Sequence, residues 1–220
     1  MRIGAIHATL NAVEPLMKAI YEVDFSAEVC NFVNEELLYH ANQAKGVDEW
    51  GRRNFLRLAM QAAESSVDGI IIACSLYSTY GEQVRILTDK PVIAIDQPMI
   101  EEAVQNGSYI GILATTASAG PAEEAKILAE AEKKKKVIKT EIAINTEAMR
   151  ALKAGDRKRH DELLEETGIK LKEMGCDLLV LSQITMASGV EGLERHGISV
   201  LTSPRSGAKE MIAQIRERGR

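Results

Sequence analysis

One stretch of this chain is written twice. Val67-Asp-Gly-Ile-Ile-Ile-Ala-Cys74 and Cys176-Asp-Leu-Leu-Val-Leu-Ser-Gln183 each read as an aspartate, an unbroken apolar run and a small polar ending. Asp68 corresponds to Asp177 and Cys74 to Gln183, 109 positions apart in both pairs. Upstream of each lies a second echo, Arg2-Ile-Gly-Ala-Ile-His-Ala8 and Tyr109-Ile-Gly-Ile-Leu-Ala-Thr115, offset by 107. A short apolar run without alternation is the pattern of a strand buried on both faces, as in parallel sheets. Parallel strands need crossover connections, usually helices.

The rest of the chain supplies them. Strands are predicted at Arg2–Ile6, Glu28–Val33, Gly69–Ala73 and Pro91–Ile95, then at Tyr109–Thr115, Val137–Ile144, Leu178–Leu181 and Ser199–Thr202. Pro91 sits at a first strand position, where its missing N–H is tolerated. Helical spacing falls at Glu14–Tyr21, Glu49–Ser65, Pro121–Lys135, Glu147–Leu152, Asp161–Met174 and Ser206–Arg216. Strands alternating with helices mark an α/β fold. The expected architecture is two pseudo-symmetric four-stranded parallel halves, flavodoxin/Rossmann-like, produced by internal duplication. Residues 1–98 form the first half and 99–203 the second, with the segment from about 204–220 packing back on the first. The site is expected in the cleft between the halves.

Composition narrows the classes of function. Hydrophobic content of 45% with 27% charged residues is ordinary for a globular chain with a real core. The net charge of −5 leaves no basic surplus to offset phosphate repulsion, so no nucleic-acid partner is expected. The only basic run, Lys133–Lys136, follows an Ala/Glu-rich helix and reads as a solvated helix end. No apolar stretch approaches the ~20 residues needed to span a bilayer, and the chain opens directly on an apolar strand without a signal-peptide pattern. Cys30, Cys74 and Cys176 are odd in number and lack metal spacing. A cytoplasmic, reduced protein without a metal is expected.

Ligands of open parallel sheets bind beyond the carboxyl ends of the strands. Here those ends are His7–Thr9, Cys74–Thr79, Asp96–Met99, Thr115–Ser118, Ser182–Thr185 and Thr202–Pro204, rich in hydroxyls and thin in charge. Hydroxyls and exposed backbone N–H groups suit a small carboxylate. Thr9, Ser75, Thr79, Thr115, Thr116, Ser118 and Thr185 are the candidate binding residues, although Thr115, Thr116 and Ser118 could equally cap the next helix. Neither GxGxxG nor a Walker motif is present, so no nucleotide cofactor is indicated. Cys74 is the candidate catalytic group, because a thiolate is accessible near neutral pH. Gln183 can form hydrogen bonds but cannot titrate. Only one half therefore carries a titrating group at this position. His7, at a strand end, either is held in a structural hydrogen bond or supplies the acid/base function Gln183 lacks. His160, beside Asp156 and Asp161, reads as a capping or surface residue. Cys30 and Cys176 read as structural. Tyr77 and Tyr80 either close the pocket or pack within their loop, and Trp50 reads as core.

These features together resemble the aspartate/glutamate/hydantoin racemase superfamily. Ala73-Cys74-Ser75 resembles that family's first catalytic cysteine motif, Pro91–Met99 its following strand and turn, and Ile110–Thr116 the opening of its second half. Asp177–Thr185 falls where the family carries a second motif, typically Gly-Cys-Thr. His7-Ala8-Thr9 and the Gln-x-x-Met-Ala stretch Gln183–Ala187 resemble one branch of it. The resemblance implies a pseudo-symmetric site without cofactor or metal, in which two cysteines remove and return a proton at the acidic carbon of an amino acid, hydantoin or related small acid. Cys74 matches the first cysteine, and Gln183 departs from the second. Proton transfer alpha to a carboxylate through an enolate-like intermediate is the expected activity, in a homo-oligomer. The alternatives are a decarboxylase of the arylmalonate type, in which one acid suffices, and a non-catalytic carboxylate-binding protein.

Overall fold

The computed structural model describes residues 1–219; Arg220, the end of the C-terminal segment, lies outside them. The chain divides into two compact units, Met1–Pro98 together with the segment from Pro204 on, and Met99–Ser203. Each contains one four-stranded, all-parallel sheet.

In the first unit the elements run β1 (Arg2–His7), α1 (Val13–Val23), β2 (Glu28–Val33), α2 (Glu36–Ala44), α3 (Glu49–Glu64), β3 (Gly69–Ile72), α4 (Gly81–Arg85) and β4 (Val92–Ala94). The sheet order is β2-β1-β3-β4. β3 is buried along its whole length, as its unbroken apolar run requires. One face of the sheet packs with α3 through Phe55, Ala59 and Ala62 against Ile6, Ile70 and Ile72. Asp48 caps α3, its carboxylate accepting from Gly51 N–H at 2.9 Å.

The second unit repeats the plan. It holds α5 (Gln97–Asn106, from Met99 on), β5 (Tyr109–Ala114), α6 (Ala119–Lys133), β6 (Lys139–Ile144), α7 (Thr146–Lys153), α8 (Arg157–Glu173), β7 (Leu178–Leu181), α9 (Val190–Arg195) and β8 (Val200–Thr202). Its order is β6-β5-β7-β8, the same permutation. Asp156 caps α8 through Arg159 N–H at 3.0 Å, as Asp48 caps α3. Met99, Ala103 and Val104 of α5 pack with Ile110, Ile112 and Val180. The last helix, α10 (Ser203–Arg218), belongs to the first unit. Gly207 lets it lie close to β4's end: a Cβ there would sit 3.1 Å from the Ile95 carbonyl oxygen. Arg216 also pairs with Asp24 at 2.8 Å.

The basic run does more than face solvent. Lys133 and Lys134 pair with Glu130, and Lys136 donates to the carbonyls of Val104, Gln105 and Gly107 at 2.6–2.9 Å, closing the C-terminal end of α5. Among the described residues no helix is long and apolar enough to cross a membrane.

The twin aspartates have one job. Asp68 accepts from Arg2 N–H at 2.7 Å, and Asp177 accepts from Ser108 and Tyr109 N–H at 3.0–3.2 Å, so each carboxylate satisfies the N–H groups that open its central strand. Asp68→Ala and Asp177→Ala should each destabilise the fold by about 1 kcal/mol, Asp177→Ala the more because two N–H groups lose their acceptor. Equal midpoints for wild type and both variants in urea unfolding would count against this reading.

Candidate active site

Backbone hydrogen bonds establish which residues correspond. Ala73 N–H donates to Ile6 O at 2.8 Å, and Ser182 N–H donates to Leu113 O at 3.0 Å. Asn34 N–H donates to His7 O as Asn145 N–H does to Ala114 O, at 3.1 and 2.8 Å. Cys74 and Gln183 are therefore the first residues past the last ladder bond of the third strand in their units. By the same register His7 matches Ala114, and Ala8 matches Thr115.

In the first unit Cys74 is half-buried and reduced. Its carbonyl accepts from Tyr77 N–H, Ser78 N–H and Ser78 Oγ–H at 2.9–3.1 Å, which turns the chain into a short 3-10 helix, Ser78–Tyr80. Tyr77 anchors that turn: it is fully buried, stacks on Phe55 with ring centroids 4.8 Å apart, and donates to Leu37 O at 3.1 Å. Burial, with the nearby Cys74 and Tyr80, pushes its phenol up to about 12. Tyr77 is thus packing, not a pocket lid, and Trp50 is half-buried against the same core. Ser75 and Thr79 are exposed. Thr9 is half-buried and caps the 3-10 turn Leu10–Ala12, accepting from Asn11 N–H at 3.4 Å.

His7 is fully buried. Its Nε2 lies 2.9 Å from Asn31 Oδ1, while Nδ1 has no hydrogen-bond partner among the described residues. Because an amide oxygen can only accept, Nε2 carries the proton. Asn31 in turn donates to Met17 Sδ at 3.4 Å. Burial holds the imidazole below its ordinary 6.5, partly offset by the Asn31 bond. Asn31, the partner of His7, is a residue the sequence reading missed; its one signal was a lone amide inside the apolar strand Glu28–Val33.

In the second unit Gln183 is half-buried and its carboxamide is oriented. Oε1 accepts from Thr115 N–H at 2.7 Å, from Thr115 Oγ–H at 3.0 Å and from Ser182 Oγ–H at 3.3 Å. A backbone N–H can only donate, so the oxygen must face Thr115 and the NH2 group points away from it. The groups left for a ligand are two N–H donors. Thr115 is buried, Thr116 and Thr185 are half-buried, and Ser118 is exposed. Ser118 stands at the N-cap of α6 without a side-chain capping bond.

His160 differs from expectation: it is fully buried, not a surface or capping residue. The cap is Asp156, and His160 shares the inward face of α8 with Leu163 and Leu164. Its Nδ1 lies 2.7 Å from Asp161 Oδ1, which also accepts from Ser188 Oγ–H at 2.7 Å and so ties α8 to the 3-10 segment Ile184–Gly189 that carries Thr185. Cys176 is buried, which pushes its thiol up, and Cys30 is half-buried against the first core. Asp96 is buried at the end of β4. Among the described residues no group of three His, Cys, Asp or Glu is gathered as a metal site.

The sequence profile of the Asp/Glu/Hydantoin racemase family matches residues 27–211. The chain belongs to that family. Solved structures of the same fold include an aspartate racemase homologue from Pyrococcus horikoshii, with a TM-score of 0.72 at 14% identity, covering 98% of this chain and 99% of that one. An allantoin racemase from Klebsiella pneumoniae gives 0.74 at 18%, covering 99% and 89%. A mutant arylmalonate decarboxylase gives 0.64 at 12%, covering 98% and 94%. Comparison with curated protein sequences finds no match.

The depressed His7 sets a pH dependence. The unfolded chain takes up a proton near 6.5 that the folded protein refuses, so folding stability should fall as pH drops below about 6.5, and fall no further below the folded pKa. His7→Gln, which keeps a donor for Asn31 Oδ1 and cannot titrate, should flatten that part of the stability curve. Urea midpoints measured between neutral pH and pH 5 for the two proteins check this.

Proposed function

We propose that this family member catalyses proton transfer at the carbon alpha to a carboxylate, without a cofactor, using Cys74 as its titrating group and Gln183 as a fixed hydrogen-bond donor. The observation that carries the proposal is the unequal pair at one register position: a thiol in one copy, and in the other a carboxamide held by Thr115. A thiolate can remove a proton from an acidic carbon and return it. The charge that develops on the carboxyl oxygens then needs donors, and one well-placed donor lowers such a barrier by about 3 kcal/mol. Gln183 N–H groups, with the Thr116 and Thr185 hydroxyls, are assigned that task. Thr115 acts through Gln183 as a positioning residue, since its N–H and its hydroxyl are both spent on the carboxamide. The hydroxyls of Thr9, Ser75, Thr79 and Ser118 are the proposed carboxylate ligands. The substrate class is a small carboxylate or related acid, such as an amino acid or a hydantoin.

A carboxamide cannot titrate, so Gln183 cannot serve as the second base of a two-base racemase. The proposed chemistry is therefore one-faced. A second reading rests on the same fact: in a decarboxylation one acid is enough, because Cys74 need only protonate the enolate left when carbon dioxide departs. The fold shared with an arylmalonate decarboxylase supports keeping it.

The test is exchange of the alpha proton with deuterated water, followed by NMR over a panel of amino acids, hydantoins and substituted malonates. Exchange should occur on one face only, or a malonate should lose carbon dioxide. Cys74→Ala should abolish either reaction, and Gln183→Leu should slow it roughly 100- to 1,000-fold. Gln183→Cys should add exchange on the second face and so create racemisation. Activity that survives Cys74→Ala would refute the assignment. Tight binding of a carboxylate with neither reaction would make the protein a binding protein.

A further inference from the structure

The turn that follows Cys74 is held by a residue of its own. Tyr77 N–H donates to Cys74 O at 3.1 Å, so the backbone of the tyrosine is tied to the residue that carries the thiol. The fully buried Tyr77 ring then reaches out of the turn. It stacks on Phe55 of α3 at an interplanar angle of 21°, lies 6.2 Å from the Tyr80 ring, and donates to Leu37 O of α2 at 3.1 Å. The phenol has this seat because residue 51 is glycine. A Cβ on Gly51 would stand 2.9 Å from the Tyr77 hydroxyl oxygen, inside van der Waals contact.

The duplication supplies an internal control. At the offset of 109 that pairs Cys74 with Gln183, Tyr77 corresponds to Met186 and Phe55 to Leu164, both buried. Gly51 corresponds to His160, and the inward faces of the helices agree. Gly51, Phe55, Ala59 and Ala62 of α3 fall on His160, Leu164, Gly168 and Leu171 of α8, all of them buried. Filling this position therefore does not demand a phenol, and size is exchanged between the copies. The first has a rigid aromatic on the turn and glycine on the helix; the second has methionine on the turn and an imidazole on the helix. Methionine is unbranched and adaptable, whereas a stacked ring tied at its hydroxyl has one position. In the second copy Thr115 holds the Gln183 carboxamide directly. The first has Ala8 in that place, with no hydroxyl to offer.

We propose that Tyr77, seated in the gap left by Gly51, is the positioning residue of Cys74: it fixes the turn that aims the thiol, as Thr115 fixes the carboxamide of Gln183. The inference rests on the proposed role of Cys74 as the titrating group. Tyr77 touches no substrate in this role and acts only through the backbone of the turn.

Iodoacetamide alkylation of the native full chain, mapped by mass spectrometry, reads the placement of the thiol whether or not a substrate is in hand. Cys30 and Cys176 serve as internal references. Tyr77→Phe keeps the ring stack and removes only the tie to Leu37 O. A turn released from its anchor exposes the half-buried thiol, so the alkylation rate of Cys74 should rise several-fold while those of Cys30 and Cys176 stay unchanged. With a substrate from the exchange panel, the same variant should lower kcat several-fold and leave KM nearly unchanged. Gly51→Ala crowds the hydroxyl and should also raise the Cys74 rate. In the double variant the new Cβ meets no oxygen, so Gly51→Ala should add nothing to Tyr77→Phe. A Cys74 rate indifferent to both single variants, equal acceleration at every cysteine, or additive effects in the double variant would each overturn the proposal. No reaction across the substrate panel, with the Cys74 rate responding as expected, would refute the catalytic role of the thiol and uphold its positioning by Tyr77.

Discussion

The candidate site depends on where the central strands stop pairing. In each unit the third strand makes its last bond to the first, Ala73 N–H to Ile6 O and Ser182 N–H to Leu113 O. One residue later the chain leaves the sheet, and that residue is Cys74 or Gln183. A buried backbone N–H must be satisfied, so the ladder cannot end early. Nor can it slip, because a shift of one residue would turn every side chain of β3 or β7 to the opposite face. The aspartates at the other end, Asp68 and Asp177, hold the same register from the start of the strand.

On these matched backbones the side chains have diverged in pairs. Where the second copy has Thr115 and Gln183, the first has Ala8 and Cys74. The exchange is coupled: a carboxamide oxygen needs donors, and Thr115 supplies two. Ala8 has no hydroxyl to offer, and a thiol is a weak acceptor. One copy thus ends in a group that can gain and lose a proton, the other in a group that can only orient N–H donors. Identical folds with unlike ends illustrate why function is argued from the site and not from the fold.

Much of this was legible in the sequence, for local reasons. The offsets of 107 and 109 revealed the repeat because a strand buried on both faces leaves an unbroken apolar run that survives divergence. Helix α2 was not legible: Glu35 at its N-cap makes no capping bond, and its C-cap is Lys45 in the left-handed region where glycine would have been the signal. The burial of His160 was hidden by its charged neighbours: Arg157, Lys158 and Arg159 are exposed, and Asp161 pairs with the buried imidazole itself. The orientation of Gln183 was illegible in principle, since its partner Thr115 lies 68 residues away. The residue type could be read, but the direction of its donors could not.

His7 and Asn31 yield to the same internal comparison. Their counterparts in the second sheet are Ala114 and Ile142, by the registers of β1 with β2 and of β5 with β6. The fold accepts apolar residues at both positions. The first copy instead buries an imidazole whose Nδ1 has no partner among the described residues, a cost of about 1–3 kcal/mol that packing does not require. The Asn31 bond fixes the tautomer, so Nε2 is spent and Nδ1 keeps its lone pair. Burial keeps the ring neutral near pH 7. A neutral imidazole in this tautomer can take a proton at Nδ1 but has none to give there. Within the proposed chemistry the roles divide by what each atom can do: Cys74 can give or take a proton, and Gln183 can only donate hydrogen bonds.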